Sequence, residues 1–327
     1  MSSTPSQTVP LIGHAEVAAF ADTNVNLPYE YVVEYRARVN SLRDALEAKI
    51  AADPAYALVR AVNAGSLAKG TALRTTSDFD LAVYLRPDRI PQDPRQLSSW
   101  LVDRLKEARP QLNDSQFQPL DHCVSIEYKD GRTVDVVPIL DAGDGSGDGD
   151  LIQKDTGERV ATNIRNHIDF VRRRKARLPV HYRQVIRLVK WWAEQLKSDE
   201  SSFRLKSYLG ELICAHLFDK GGDLTNYPNA LAQVFAYIKK SGLAEPIIFE
   251  DYYKRSAVPS SAYGRMTVID AVNPKNNIVS DYSESNRAAV ENAASAALDA
   301  IVYAEYTPHK AEAIAAWREV LGGQFRG

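Results

Sequence analysis

The chain has 327 residues, 45% of them apolar, a globular composition that is ample for one large core or two domains in close association. Its 40 basic and 42 acidic side chains leave a formal charge of -2, so net charge does not mark it as a polyanion binder. The two cysteines, Cys123 and Cys214, are too few and too far apart for a zinc site or a disulfide framework; they read as free thiols suited to a reducing cytoplasm.

The N-terminus, Met1-Ser2-Ser3-Thr4-Pro5, has no basic region followed by an apolar one, and no apolar run is long enough to cross a bilayer. A cytoplasmic protein with no membrane partner is expected. The segment up to Leu27 is rich in Ser, Thr, Pro and Asn and reads as a loose lead-in with an apolar patch at Val17 to Phe20. From Tyr29 to Ala52 the positions Val32, Tyr35, Val39, Leu42, Leu46 and Ile50 recur at helical spacing, and Asp53-Pro54 supplies a stop. A strand at Val59 to Ala64 then leads into Gly65-Ser66-Leu67-Ala68-Lys69-Gly70-Thr71. It is followed by a strand at Phe79 to Leu85, a helix at Leu97 to Ala108, and two strands at Val124 to Tyr128 and Thr133 to Leu140. Asp130-Gly131 between the last two is a hairpin signal, so the sheet is predicted to be mixed, with Asp135 on a strand antiparallel to its predecessor.

After Asp150 the texture is helical: Arg165 to Lys175, Val180 to Lys197, Leu205 to Asp219, Ala230 to Ser241, Asn286 to Tyr303 and Lys310 to Leu321. The predicted domains are residues 1–54 (lead-in and long helix), 55–160 (catalytic core) and 161–327 (helical domain). Asp141 to Asp150 is rich in Asp and Gly, and Asp144 to Asp150 within it faintly echoes a calcium loop, but its twelfth position is Asp155 where that loop has Glu and no helix precedes it, so it reads as a flexible loop.

Asp78 and Asp80, one residue apart on a strand, share a face. Asp135 lies among Val134, Val136 and Val137, where an ionised carboxylate is costly unless paired or metal-bound. Three such carboxylates form the all-oxygen set that Mg²⁺ takes, with water and phosphates completing its shell. Gly65 permits a backbone course closed to other residues, and Ser66 offers a hydroxyl and an amide to a phosphate.

The pattern Gly65-Ser66, Lys69-Gly70-Thr71, Asp78-x-Asp80-Leu81 and Val134-Asp135-Val136-Val137-Pro138 resembles the DNA polymerase beta type nucleotidyltransferases. Within them it is similar to the branch of oligoadenylate synthases, cyclic GMP-AMP synthase and the bacterial CD-NTases. Three segments of the second half carry the narrower likeness: Ile186 to Trp192, Lys206 to Leu212, and Ile269 to Asn277. The resemblance implies an α+β, bilobal fold, in which a polymerase-beta-like core with a mixed sheet is joined to a helical C-terminal domain and the active site lies in the cleft. It implies a nucleotidyltransferase that condenses ATP, UTP or GTP into a cyclic di- or trinucleotide for a separate effector protein in antiphage defence, releasing pyrophosphate. Asp78, Asp80 and Asp135 would hold two Mg²⁺ ions, with Mn²⁺ able to substitute. Gly65, Ser66 and Lys69 would serve the donor phosphates together with Lys190 and Ser207, and Tyr208 would stack on the donor base.

Asn163 is the candidate for reading a base edge, with a uracil preference, against a plain reading as a helix N-cap. The family often has Pro where Ile164 stands. The run Arg172 to Lys175 with Arg177 reads as a solvated helix face, and no zinc element is visible, so no obligatory nucleic-acid activator is expected. Some relatives are conjugated through a C-terminal glycine; Gly327 invites that comparison, against a frayed end. The alternatives are synthesis of linear oligonucleotides, transfer to a tRNA or protein acceptor, and a non-catalytic nucleotide-binding module.

Overall fold

In the computed structural model, residues 10–53, 56–120, 122–152, 157–197 and 202–327 are described. The predicted lead-in is ordered there. It forms α1 (His14–Phe20), prolonged by a wide turn at Ala21–Val25 in which Asn26 N–H donates to Ala21 O, five residues back. Ile12, Val17, Phe20 and Val25 are buried, and Phe20 meets the rings of Trp191 and Phe325 edge to face. These residues therefore group with the helical unit, Arg174–Gly327, while Leu27–Arg173 forms a second compact unit containing the sheet.

The sheet unit opens with α2 (Tyr29–Ala52), whose Tyr35, Val39, Leu42 and Leu46 are buried at intervals of three and four residues. Then come β1 (Leu58–Asn63), the short turn α3 (Gly65–Lys69), β2 (Asp78–Leu85), α4 (Leu97–Ala108), β3 (Phe117–Pro119), β4 (Val124–Glu127), β5 (Thr133–Asp141), β6 (Gly149–Ile152) and β7 (Arg159–Thr162). The sheet runs β1-β2-β5-β4-β3, with β6 paired to β5 and β7 to β6. All pairs are antiparallel except β2 with β5, which is parallel, so the sheet is mixed as predicted.

One sheet face carries Phe79, Leu81, Val83, Val134 and Val136 into a core shared with α2 and α4. The other face is apolar only toward the β2 C-terminus, where Ala82, Tyr84 and Ile139 pack with Ala64. Toward the β2 N-terminus it carries carboxylates.

The segment read as a flexible Asp-Gly connection is two strand ends and a short structured loop. Gly143 N–H donates to Asp141, Ser146 N–H to Asp144, and Tyr84 Oη to Gly147 O. Asp155 lies outside the described residues.

Helix α5 (Ile164–Arg177) leads from the sheet unit into α6 (His181–Leu196), α7 (Ser207–Asp219), α8 (Tyr227–Ser241), α9 (Glu284–Tyr306) and α10 (Lys310–Leu321). Helix α6 is buried on most of its circumference and forms the spine of the helical unit. The tail after α10 is seated rather than frayed: Phe325 is fully buried, its carbonyl accepts from Arg318 Nε, and Trp191 Nε1 donates to Leu321 O. Among the described residues no helix is long and apolar enough to cross a membrane.

Candidate active site

Strand geometry gathers the three aspartates on one face. Asp78 and Asp80 are two residues apart on β2, and Asp80 is registered directly against Asp135 on the parallel β5. Neighbouring strands lie about 4.8 Å apart and two residues span about 6.6 Å along a strand, so the three Cα atoms fall within one small triangle. Asp78 is exposed, while Asp80 and Asp135 are partly buried.

The surroundings are shaped to these carboxylates. Gly65 has φ +63°, and a Cβ built on it would stand 1.6 Å from Asp80 Oδ2; the glycine is required both by its backbone and by the acid lying on it. Ala64 N–H donates to Asp80 O at 2.9 Å and fastens the start of α3 to β2. Ser66 follows, its carbonyl accepting from Thr71 N–H, and the partly buried Lys69 closes the turn before Gly70.

On the far side of β5, Ser125 of β4 is registered against Asp135, and its hydroxyl donates to Asp135 Oδ1 at 2.6 Å, a charge-assisted length. The Cys123 thiol is pushed up to about 12, first by burial and then by the negative fields of Asp135, Asp80 and Asp78. Neither Ser125 nor Cys123 stood out in the sequence, because a small residue at the edge of an apolar strand carries no local signal.

Among the described residues no three acidic, histidine or cysteine side chains are already drawn up as a finished ion cage. The donor set still fits a hard divalent cation: it is all oxygen, Asp80 lies in a cradle that a Cβ would fill, and Asp135 is held by a neighbour.

The helical unit brings Lys190, Ser207 and Tyr208 to two helices in contact. A Cβ on Gly210 of α7 would stand 3.4 Å from Val189 of α6, next to the buried Lys190. Ser207 is exposed at the first position of α7. Tyr208 is anchored by its hydroxyl, which donates to Asp270 Oδ1 at 3.3 Å and accepts from Ala271 N–H at 3.2 Å. Burial first, and then the Asp270 charge, hold its phenol well above the usual range. Part of the residue remains accessible. Asp270 is itself buried and accepts from Val272 N–H and Asn276 Nδ2, so the Ile269 to Asn277 segment serves to fix Tyr208.

Two expectations need correction. Asn163 is buried, its Oδ1 accepts from Asn166 N–H at 3.0 Å as an N-cap, and its Nδ2 donates to Asp148 at 2.8 Å. With both ends of the amide engaged, the residue is placed as the helix N-cap, the plain one of its two readings. The basic run is also not a solvated face throughout. Arg174 is buried and holds Asp219 and Asp251, Arg177 reaches Asp219, and Arg173 pairs with Asp169.

A mixed sheet with two carboxylates on one strand, a third in register on its parallel neighbour and a glycine turn against them defines the class: a nucleotidyltransferase. The nucleotidyltransferase domain profile matches residues 43–161. Over 321 residues the chain is 40% identical to the cyclic AMP-AMP-AMP synthase of Escherichia coli (strain MS 115-1), covering 97% of this chain and 98% of that one. The solved structure of E. coli MS115-1 CdnC with ATP superposes with a TM-score of 0.93 at 39% identity, covering 97% of this chain and all of that one. The same enzyme in its complex with HORMA-deltaN gives a TM-score of 0.92 at 39% identity, with 97% and 99% covered. The chain belongs to the CD-NTases and is a cyclic oligonucleotide synthase.

Proposed function

We propose that this enzyme condenses three ATP molecules into a cyclic triadenylate with release of pyrophosphate, as a signal in antiphage defence. The observation that carries this reading is the end-to-end likeness to the cyclic AMP-AMP-AMP synthase, 40% identical over 97% of the chain. A uridine-containing product is no longer favoured, since Asn163 caps a helix.

In this reading Asp78, Asp80 and Asp135 hold two Mg²⁺ ions, for which Mn²⁺ can substitute. When bound, the ions neutralise triphosphate charge and make the acceptor hydroxyl easier to deprotonate. The chain's own groups do the rest. Gly65 and Ser66 present backbone amides and a hydroxyl to the donor triphosphate, and Lys69, Lys190 and Ser207 add charge and hydrogen bonds. Tyr208, held at its hydroxyl by Asp270, offers its ring to the adenine. Asp135 would be the carboxylate beside the attacking ribose oxygen, which bonds to the α-phosphorus as pyrophosphate leaves. The partners in this reading are a HORMA protein, by likeness to the relative's complex, and a separate effector that recognises the product. Conjugation through Gly327 stays open in this reading: Gly327 is exposed, two residues beyond the buried Phe325.

The test is incubation of the purified protein with each radiolabelled nucleoside triphosphate and with all four, in Mg²⁺ or Mn²⁺, with and without a HORMA partner, followed by phosphatase and chromatography. A phosphatase-resistant product from ATP alone, lost in Asp78→Ala and Asp80→Ala, is expected. A product that requires UTP or GTP, or label that remains phosphatase-sensitive or appears only on added tRNA or protein, refutes the reading.

A further inference from the structure

We propose that Ser125 is a positioning residue for this reaction, setting the Asp135 carboxylate toward the metal; the inference rests on the metal-carboxylate reading above. Three side chains stand in one row across three strands: Asp80 on β2, Asp135 on β5 and Ser125 on β4, each in direct register with the next. Asp135 is the middle member, flanked by an acid on one side and a hydroxyl on the other. Ser125 donates to Oδ1 at 2.6 Å. The hydroxyl thereby engages one carboxylate oxygen, Oδ1, from the β4 side, and in this proposal the other oxygen is the one that would meet the cation.

The serine is not explained by packing. Its neighbours Val124 and Ile126 are fully buried on the core face, as strand alternation requires. Ser125 points to the opposite face and is itself only 5% exposed. A buried strand position of this kind favours a β-branched or apolar side chain, and a serine there leaves a hydroxyl that needs a partner. Its partner is one of the three acids. Groups that orient a metal ligand through a hydrogen bond typically change metal affinity or activity about 10–100-fold when removed.

The experiment titrates Mn²⁺ into the wild type, Ser125→Ala, Ser125→Thr and Asp135→Asn with a non-hydrolysable ATP analogue present. Free Mn²⁺ is followed by electron paramagnetic resonance, with turnover and thermal melting recorded in parallel. Ser125→Ala is expected to weaken Mn²⁺ binding and turnover together by about 10–100-fold, and Ser125→Thr, which keeps the hydroxyl, to restore both. Ser125→Cys, close in volume but a weaker donor, falls between and covers the case in which the alanine variant folds poorly. If Ser125→Ala binds Mn²⁺ like the wild type while Asp135→Asn does not, the positioning role is refuted and the metal site stands. Lost turnover with unchanged Mn²⁺ affinity and no rescue by threonine makes Ser125 a packing residue and also overturns the proposal. Unchanged Mn²⁺ binding in Asp135→Asn overturns the metal reading itself.

Discussion

Substituting Gly65 by alanine tests the opening of the site most directly, because two separable penalties meet at one atom. The first is conformational: at φ +63° an L-residue is disfavoured by about 1–2 kcal/mol. The second is steric. The added methyl would lie 1.6 Å from Asp80 Oδ2, 2.5 Å from its Cγ and 2.9 Å from its Cβ, so either α3 or the carboxylate must move. Forced repacking of this kind costs typically about 1–3 kcal/mol. The sum, roughly 2–5 kcal/mol, should lower the melting temperature by roughly 4–20 °C. Gly131→Ala separates the terms. Its φ is +76° with nothing within 4 Å of the new Cβ, so it carries the conformational penalty without the collision.

The measurement is cyclic-product formation at a temperature where all three proteins remain folded, alongside melts by differential scanning calorimetry. Gly131→Ala should keep turnover near that of the wild type. Gly65→Ala should lose about 100-fold, the usual effect of moving a reacting group by an ångström. Equal turnover in the two variants would refute the claim that Asp80 is placed by the glycine turn.

The remaining tests are smaller. Asn163→Ala removes a cap worth about 1 kcal/mol and a donor to Asp148, so the melting temperature should fall by a few degrees with the product's bases unchanged; an altered base composition would return Asn163 to base recognition. Arg174→Met leaves Asp219 and Asp251 without their buried cation, and since both acids keep some solvent contact the loss should be roughly 2–3 kcal/mol by urea unfolding; a variant as stable as the wild type would refute the pairing's role. His216 is held below its usual range, first by burial and then by Lys220. The unfolded ring therefore binds the proton more readily, so its contribution to stability is complete above about pH 6.5 and declines as pH falls toward the folded value. Melts at about pH 7.5 and about pH 5.5 should converge in His216→Gln relative to the wild type, and an unchanged slope would exclude this histidine as a source.

Which parts of this molecule were legible in its sequence follows from the range of the forces concerned. Helix α2 was legible because burial at Tyr35, Val39, Leu42 and Leu46 repeats within one turn. The β4–β5 hairpin was legible because Asp130-Gly131 is a local signal. The helix at His14–Phe20 is hidden in the sequence for an equally local reason. The turn at Ala21–Val25 closes over five residues, which breaks the helical period just where Phe20, Ala21 and Val25 become buried. Gly149 has the composition of a loop, yet it lies in β6, and a Cβ there would stand 2.4 Å from Leu140 O; the glycine answers a close approach, which no window of sequence displays.

The same division runs through the site. Three aspartates, a Gly-Ser turn and a Lys-Trp-Trp helix can be noticed as residue types. What orients them is non-local: the parallel register of β2 with β5, the reach of Asp270 to Tyr208, and the Ser125 hydroxyl on Asp135. A carboxylate announces that charge must be satisfied, but its satisfying partner is fixed only when distant strands pair. Residues that position the site are therefore hidden among ordinary strand and loop residues, and strand register rather than motif is the place to look for them.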